Sequence, residues 1–352
     1  MRPLWDMLAW LTVMAVAGFA GHVLFKALRL PKTPLLDSAM LSLALGLGLL
    51  TVGVSALGWL GLFQHGWLLA WFLAVGLLAI GNVWYGWVYH RQSGLNISLH
   101  LPSQRTYAAW MYLAPLGAFA LAYLAYSMTP PLEGDTLHSY LDVPKQLLEA
   151  GGIVPLPYEL HSPAPLNLQM LSVLSLTLAG DELAQMVASF TMAIGATAAV
   201  YLLGRRFFSV EAGLLAALIF LTMYVVQYLV PSAKVNLGWA FWDILAVYCV
   251  ARWAWETPRE KRWLLAAGVF SGLAMGSLYS GAFTALLLGT AILVVQLRKG
   301  FAEAAKGALL YALPALLLSG GWFLRNWRDT DNPVYPILNG AAPIAVSTLK
   351  GT

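Results

Sequence analysis

The chain has 352 residues, 60% of them apolar and only 10% charged, with a net charge of +4, whereas an ordinary soluble domain is about 25% charged. This composition excludes a soluble enzyme, and it excludes disorder because so apolar a chain buries ample surface to offset its ordering entropy. A polytopic membrane protein remains, and its basic balance, accompanied by 15 Trp and 15 Tyr, belongs to bilayer interfaces rather than to nucleic acid. Cys249 is the single cysteine, so an intrachain disulfide, a thiolate metal cage and a Cys-x-x-Cys redox pair are all excluded.

A spanning helix needs about 20 mostly apolar residues. Hydropathy predicts ten, near 7–28, 38–62, 66–89, 106–127, 184–204, 213–230, 239–255, 263–279, 282–297 and 308–327. The first reads as a retained helix rather than a cleaved signal, because 7–28 is a full span that ends at Lys26 and Arg29. The run 263–297 is split in two at Ser280-Gly281 by its length and its turn residues. The fold class is therefore all-α, a polytopic membrane bundle in one transmembrane domain over 1–352, with a four-helix portion at 1–127.

Charge tests this register independently, since short cytoplasmic loops collect Lys and Arg. Alternate loops hold Lys26, Arg29 and Lys32, then Arg91 and Arg105, Arg205 and Arg206, Arg252, Arg259, Lys261 and Arg262, and finally Arg298, Lys299 and Lys306. The other side keeps only Arg2, Lys145, Lys234, Arg325, Arg328 and Lys350. Both termini and the long segment 128–183 are thus expected on the outer side.

That segment carries Glu133, Asp135, Asp142, Glu149, Glu159, Asp181 and Glu182 against Lys145 alone, with His138 and His161. Asp135–Leu141 reads as a short helix, Pro144 suits the first turn of a second, and Gly151-Gly152 closes it. Both are expected to lie along the membrane surface, dipping Leu137, Leu141, Leu147 and Leu148 into the headgroups while His138, Asp142, Lys145 and Glu149 face water. The proline-rich stretch Val154–Pro165 is expected to run extended over the outer mouth.

There is no phosphate loop, His-Glu-x-x-His or Gly-x-Ser-x-Gly elbow. Asp243 is the single carboxylate deep in a span, a weak basis for an ion-coupled transporter, and it reads as a helix-end contact, for instance to Lys234, or as a group facing a cavity. Trp239 and Trp242 read as interface anchors.

The sharpest constellation is Glu133-Gly-Asp-Thr-Leu-His-Ser-Tyr-Leu-Asp-Val-Pro-Lys145, followed by Leu148-Glu-Ala-Gly-Gly-Ile153. It resembles the first outer-loop motif of the GT-C glycosyltransferases, the bacterial relatives of the dolichyl-phosphate-mannose and lipid A aminoarabinose transferases. The resemblance continues through Gly180-Asp181, Leu202-Leu-Gly-Arg-Arg-Phe207, Trp322-Phe-Leu-Arg-Asn326 and Asn332-Pro-Val-Tyr-Pro336, covering roughly 130–340.

The resemblance implies transfer of a sugar from a polyprenyl-phosphate donor to an acceptor at the outer face of a bacterial plasma membrane. Asp135 matches the family's loop aspartate, the implied base, and a carboxylate at a low-dielectric interface suits that role. It equally suits a helix cap. Tyr140, Asp142 and Lys145 share its motif as candidate substrate contacts. His138, Glu159 and His161 join Asp135 as candidates for a divalent metal or, more simply, as hydrogen-bonding surface groups. Lys234, Arg325 and Arg328 form a candidate clamp for the donor phosphate, each alone reading as a snorkelling helix-end cation.

The chain departs from the family at Asn167, Gln169 and Asn236, amides where relatives often carry acids, and at Gly276–Gly281, where they carry a lysine. An amide neither ionises nor accepts a proton. The chain also stops at Thr352, soon after the tenth span, where most relatives continue, as either a truncated protein or a reduced member of the family would. The second reading is therefore a catalytically inactive GT-C-like subunit that serves as a scaffold or lipid-binding component beside other membrane subunits.

Overall fold

The computed structural model describes residues 2–31, 33–93, 106–156, 159, 162–256 and 259–337. Most of these residues are helical, with no strand among them. The order is α1 (Arg2–Ala27), α2 (Leu35–Trp59), α3 (His65–Ser93), α4 (Thr106–Ser127), a π-helical turn (Thr136–Tyr140), α5 (Asp142–Glu149), α6 (Asn167–Leu178) and α7 (Asp181–Gln185). A π-helical segment, Met186–Thr191, joins α7 to α8 (Met192–Phe207). Then come α9 (Val210–Thr222), α10 (Tyr224–Leu229), α11 (Asn236–Trp255), α12 (Arg262–Met275), α13 (Ser280–Leu297) and α14 (Phe301–Thr330).

Each expected span coincides with one of these stretches, and seven helices among the described residues are long and apolar enough to cross a membrane by themselves. Small residues let them approach closely, as membrane helices must without a hydrophobic drive between them. A Cβ on Gly21 of α1 would collide with the Ser42 carbonyl of α2, and one on Gly46 with that of Ala17. The stretch expected at 213–230 is broken at Met223, whose backbone is extended. The carbonyls released there are taken up by side chains: Tyr123 donates to Leu221 O inside the bundle (2.8 Å), and the exposed Gln227 side chain donates to Thr222 O (2.8 Å).

The bundle has two chemically different ends. At the basic end Lys261 pairs with Glu303 (2.7 Å), Arg206 with Glu256 (2.6 Å), and Arg262 donates to Arg29 O (2.8 Å). Behind these contacts Asp37 is fully buried. Its carboxylate is paired with Arg205, accepts from Tyr248 OH (2.7 Å) and lies 3.7 Å from Arg252. Arg252 donates to Tyr248 OH, pairs with Glu256 and stacks on Trp263. This network fastens α2 to α8 and α11.

The expectation for 128–183 is corrected in two respects. Leu141 and Leu147 are fully buried against protein rather than immersed in headgroups. The α2–α3 turn holds that layer down: Phe63 N–H donates to Gly151 O and Ile153 N–H to Gly58 O, both at 2.9 Å. Second, the segment does not only lie over the mouth, because α6 enters the bundle and Asn167–Ser175 are all buried. Its polar residues depress hydropathy, yet Ser175 and Thr177 satisfy their hydroxyls on the Leu171 and Val173 carbonyls one turn back (2.8 and 2.9 Å). Twelve residues span about 18 Å, too short to cross the bilayer.

Candidate functional site

At the acidic end the π-helical turn and the α10–α11 loop meet around Lys234. Its ammonium is nearly enclosed, with a side chain 9% exposed. It donates to Asp135 Oδ2 and contacts Glu133 Oε1, both at 2.9 Å, and reaches Tyr228 OH at 3.3 Å while lying over that ring. Burial opposes the charge on Lys234, but the hydrogen bonds to Asp135, Glu133 and Tyr228 outweigh it and hold the ammonium above its usual range.

Glu133 organises the turn. Its Oε2 accepts from the Thr136 backbone N–H (2.8 Å) and hydroxyl (2.7 Å), while Oε1 faces Lys234 and Tyr228. Desolvation raises its carboxyl, but Lys234 and Thr136 overcome this and bring it down to about 2. The cap expected of Asp135 is therefore supplied by Glu133, and the Asp135 side chain makes no capping bond. Asp135 projects instead with its side chain 68% exposed, tethered by Lys234. Tyr140 is half-buried on the same turn, its hydroxyl pKa raised first by burial and further by Asp135 and Glu133, against an opposing pull from Lys234.

The other candidates are placed as follows. His138 is exposed on the turn. Asp142 accepts from Gln146 (2.5 Å), and Lys145 pairs with Asp181 (2.8 Å) in a surface bridge. Glu159 lies in the proline-rich stretch, which turns here rather than running extended: its N–H donates to Leu156 O and its carbonyl accepts from Ser162 N–H, both at 3.1 Å. His161 lies outside the described residues. Lys234 does not pair with Asp243, which sits within α11 with its Oδ1 unbonded.

Arg325 is 5% exposed and donates to the carbonyls of Ser162 (2.6 Å) and Ala164 (3.0 Å) and to Asn326 Oδ1 (3.3 Å), over the Trp322 ring. Among the described residues it has no carboxylate partner. Arg328, one turn on, is exposed and pairs with its neighbour Asp329 (2.7 Å). These two cations share no bonding partner with Lys234 among the described residues.

One departure from the family pattern, Asn167, has a packing reason, and nothing in the structure explains the lysine missing from 276–281. Asn167 accepts from Trp322 Nε1 (2.7 Å) and donates to Leu318 O (3.2 Å), so this position needs the donor that a carboxylate lacks. A Cβ at position 276 would run into the Asn167 amide, which explains Gly276. Gln169 is buried with its Oε1 unbonded, and Asn236 opens α11.

Among the described residues no three His, Cys, Asp or Glu side chains converge as metal ligands. Between Glu133 and Asp135 the place of a bridging cation is taken by the Lys234 ammonium.

The fold and this end of the bundle define a polytopic helical membrane protein with a carboxylate presented at one face. Residues 163–322 match the sequence model of the dolichyl-phosphate-mannose-protein mannosyltransferase family, which supports a membrane glycosyltransferase of GT-C type. The matched region runs from the foot of α6 to Trp322, and the Glu133–Lys145 loop precedes it. No curated protein and no solved structure matches the chain. Sequence reasoning missed Glu133 and Tyr228 as partners of Lys234. The Glu133-x-x-Thr136 spacing was the available signal, but cap preferences favour Asp over Glu and pointed to Asp135.

Proposed function

We propose that the protein transfers a sugar from a polyprenyl-phosphate donor to an acceptor hydroxyl at the acidic end of the bundle, on the outer face of a bacterial plasma membrane. Asp135 is the general base. The observation that carries this reading is an exposed carboxylate held in place by a buried ammonium, which is itself fixed by Glu133. Asp135 takes the proton as the acceptor oxygen attacks the anomeric carbon. The bond from that carbon to the phosphate oxygen breaks, and the phosphate leaves with the electron pair.

Arg325, a buried cation bonded to Asn326 and to backbone carbonyls, is the group best suited to the departing charge, with Arg328 beside it. Lys234 completes the set through Asp135. Tyr140, His138, Asp142, Lys145, Glu159 and His161 belong to the surrounding acceptor surface. A second reading, an inactive subunit, is favoured by one observation: Asn167, where relatives often carry an acid, is consumed in packing against Trp322 and Leu318.

The test is transfer from radiolabelled polyprenyl-phosphate-mannose in proteoliposomes, with extracted membrane lipids and peptides as acceptors. Transfer that Asp135→Asn abolishes supports the enzyme. Donor binding without transfer in the wild-type chain supports the subunit.

A further inference from the structure

Away from the candidate site, a groove runs between α1 and α3. Val16 and Phe19 of α1 and Gly76, Ile80, Val83 and Trp84 of α3 line about 410 Å³, all of it apolar. Gly76 adds to its width, and a Cβ there would stand 3.9 Å from Val16, an ordinary contact. From Gly76 to Trp84 the slot is about 12 Å long at 1.5 Å per helical residue.

Its basic-end mouth is polar in a specific way. Asn82 donates to Phe19 O (3.1 Å) and accepts from Lys26 (3.3 Å). Lys26 has no carboxylate partner among the described residues. Arg29 follows one turn on, and Arg262 is attached to its carbonyl (2.8 Å). The acid nearest in sequence, Asp37, is buried and taken by Arg205 and Tyr248. An apolar slot therefore ends at cations without a matching anion.

We propose that this groove holds one acyl chain of an anionic phospholipid, with its phosphate at Lys26 and with Arg29 and Arg262 beside it. A straight slot between helices running in the same direction suits an unbranched chain. Lysine and arginine at headgroup depth attract anionic lipid at about 1 kcal/mol each, or about fivefold in binding.

The full chain, purified in mild detergent, is loaded with dioleoyl phosphatidylglycerol or dioleoyl phosphatidylcholine and weighed by native mass spectrometry. One phosphatidylglycerol is expected to stay bound in preference to phosphatidylcholine. Lys26→Gln should cut its retention about fivefold and leave phosphatidylcholine unchanged. Ala15→Trp and Val83→Trp, on the groove's exposed rim, should each remove the bound lipid without disturbing the core. Equal retention of the two lipids, or phosphatidylglycerol retention indifferent to both tryptophans, overturns the proposal. So does a wild-type chain that retains a polyprenyl phosphate in this groove in preference to phosphatidylglycerol.

Discussion

Charged clusters occupy both ends of this bundle, and they are built on opposite plans. At the basic end Asp37 is wholly buried and Arg252 is 3% exposed, so the central charges are enclosed, with Arg205 and Glu256 only partly exposed at the edge. At the acidic end the cation is the buried member, while Asp135 stands mostly in the open. A closed network holds helices together and leaves no group free to meet a ligand. The open one fixes a lysine inside and offers a carboxylate outside, the arrangement expected where chemistry is done on something that arrives from solution.

The largest effect that would sharpen this contrast is at Asp37. Asp37→Ala strands Arg205 and leaves Arg252 with Glu256 alone, and breaking a buried pair costs about 3–5 kcal/mol. Thermal unfolding in detergent, followed by tryptophan fluorescence, measures it. A cost below about 1 kcal/mol would mean that Glu256 takes over the arginines, and the two ends would no longer differ.

Asp135→Asn is the matched experiment. Turnover is expected to fall about 10²–10⁴-fold, the usual worth of a general base, while stability changes by no more than about 1 kcal/mol, as for an exposed ion pair. A large loss of stability with transfer retained would invert the assignment of the two ends. Lys234→Met comes next. It leaves Glu133 and Asp135 facing each other, and transfer should drop by up to about 100-fold through misplacement of Asp135. The lost charge-assisted hydrogen bonds cost about 1.5 kcal/mol.

Much of the scaffold was legible because two independent signals agreed. Hydropathy located ten helical stretches, and the Lys and Arg alternation sorted their loops onto two sides. Loops assigned to one side do touch, as Arg206 touches Glu256 and Lys234 touches Asp135. The buried helix α6 was hidden because Asn167, Gln169, Ser172, Ser175 and Thr177 read as loop polarity. The Asp37–Arg205 pair joins residues 168 positions apart, which no local pattern reveals. In the site, motif resemblance reached Asp135 and charge placement reached Lys234. Their contact depends on how the π-helical turn meets the α10–α11 loop, and that is set by packing.

The smallest expected effect tests whether Glu133 is the hinge between these two groups. Its carboxyl titrates at about 2 in the folded chain against an ordinary 4.5, so the folded state binds its proton less readily than the unfolded one. The stabilisation is complete above pH 4.5 and is lost as pH falls from there toward 2. Glu133→Gln keeps an oxygen to accept from Thr136 but gives Lys234 no charge. The variant should be less stable than wild type at neutral pH by about 1 kcal/mol or less, given solvent screening of a partly exposed pair. That gap should close as the medium is acidified below pH 4.5. Measuring the difference between the two melting curves removes the contribution of the other carboxylates. A gap that stays constant from pH 6 to 3 would mean that Glu133 acts through its bonds to Thr136 alone, leaving Lys234 to hold Asp135 without its help.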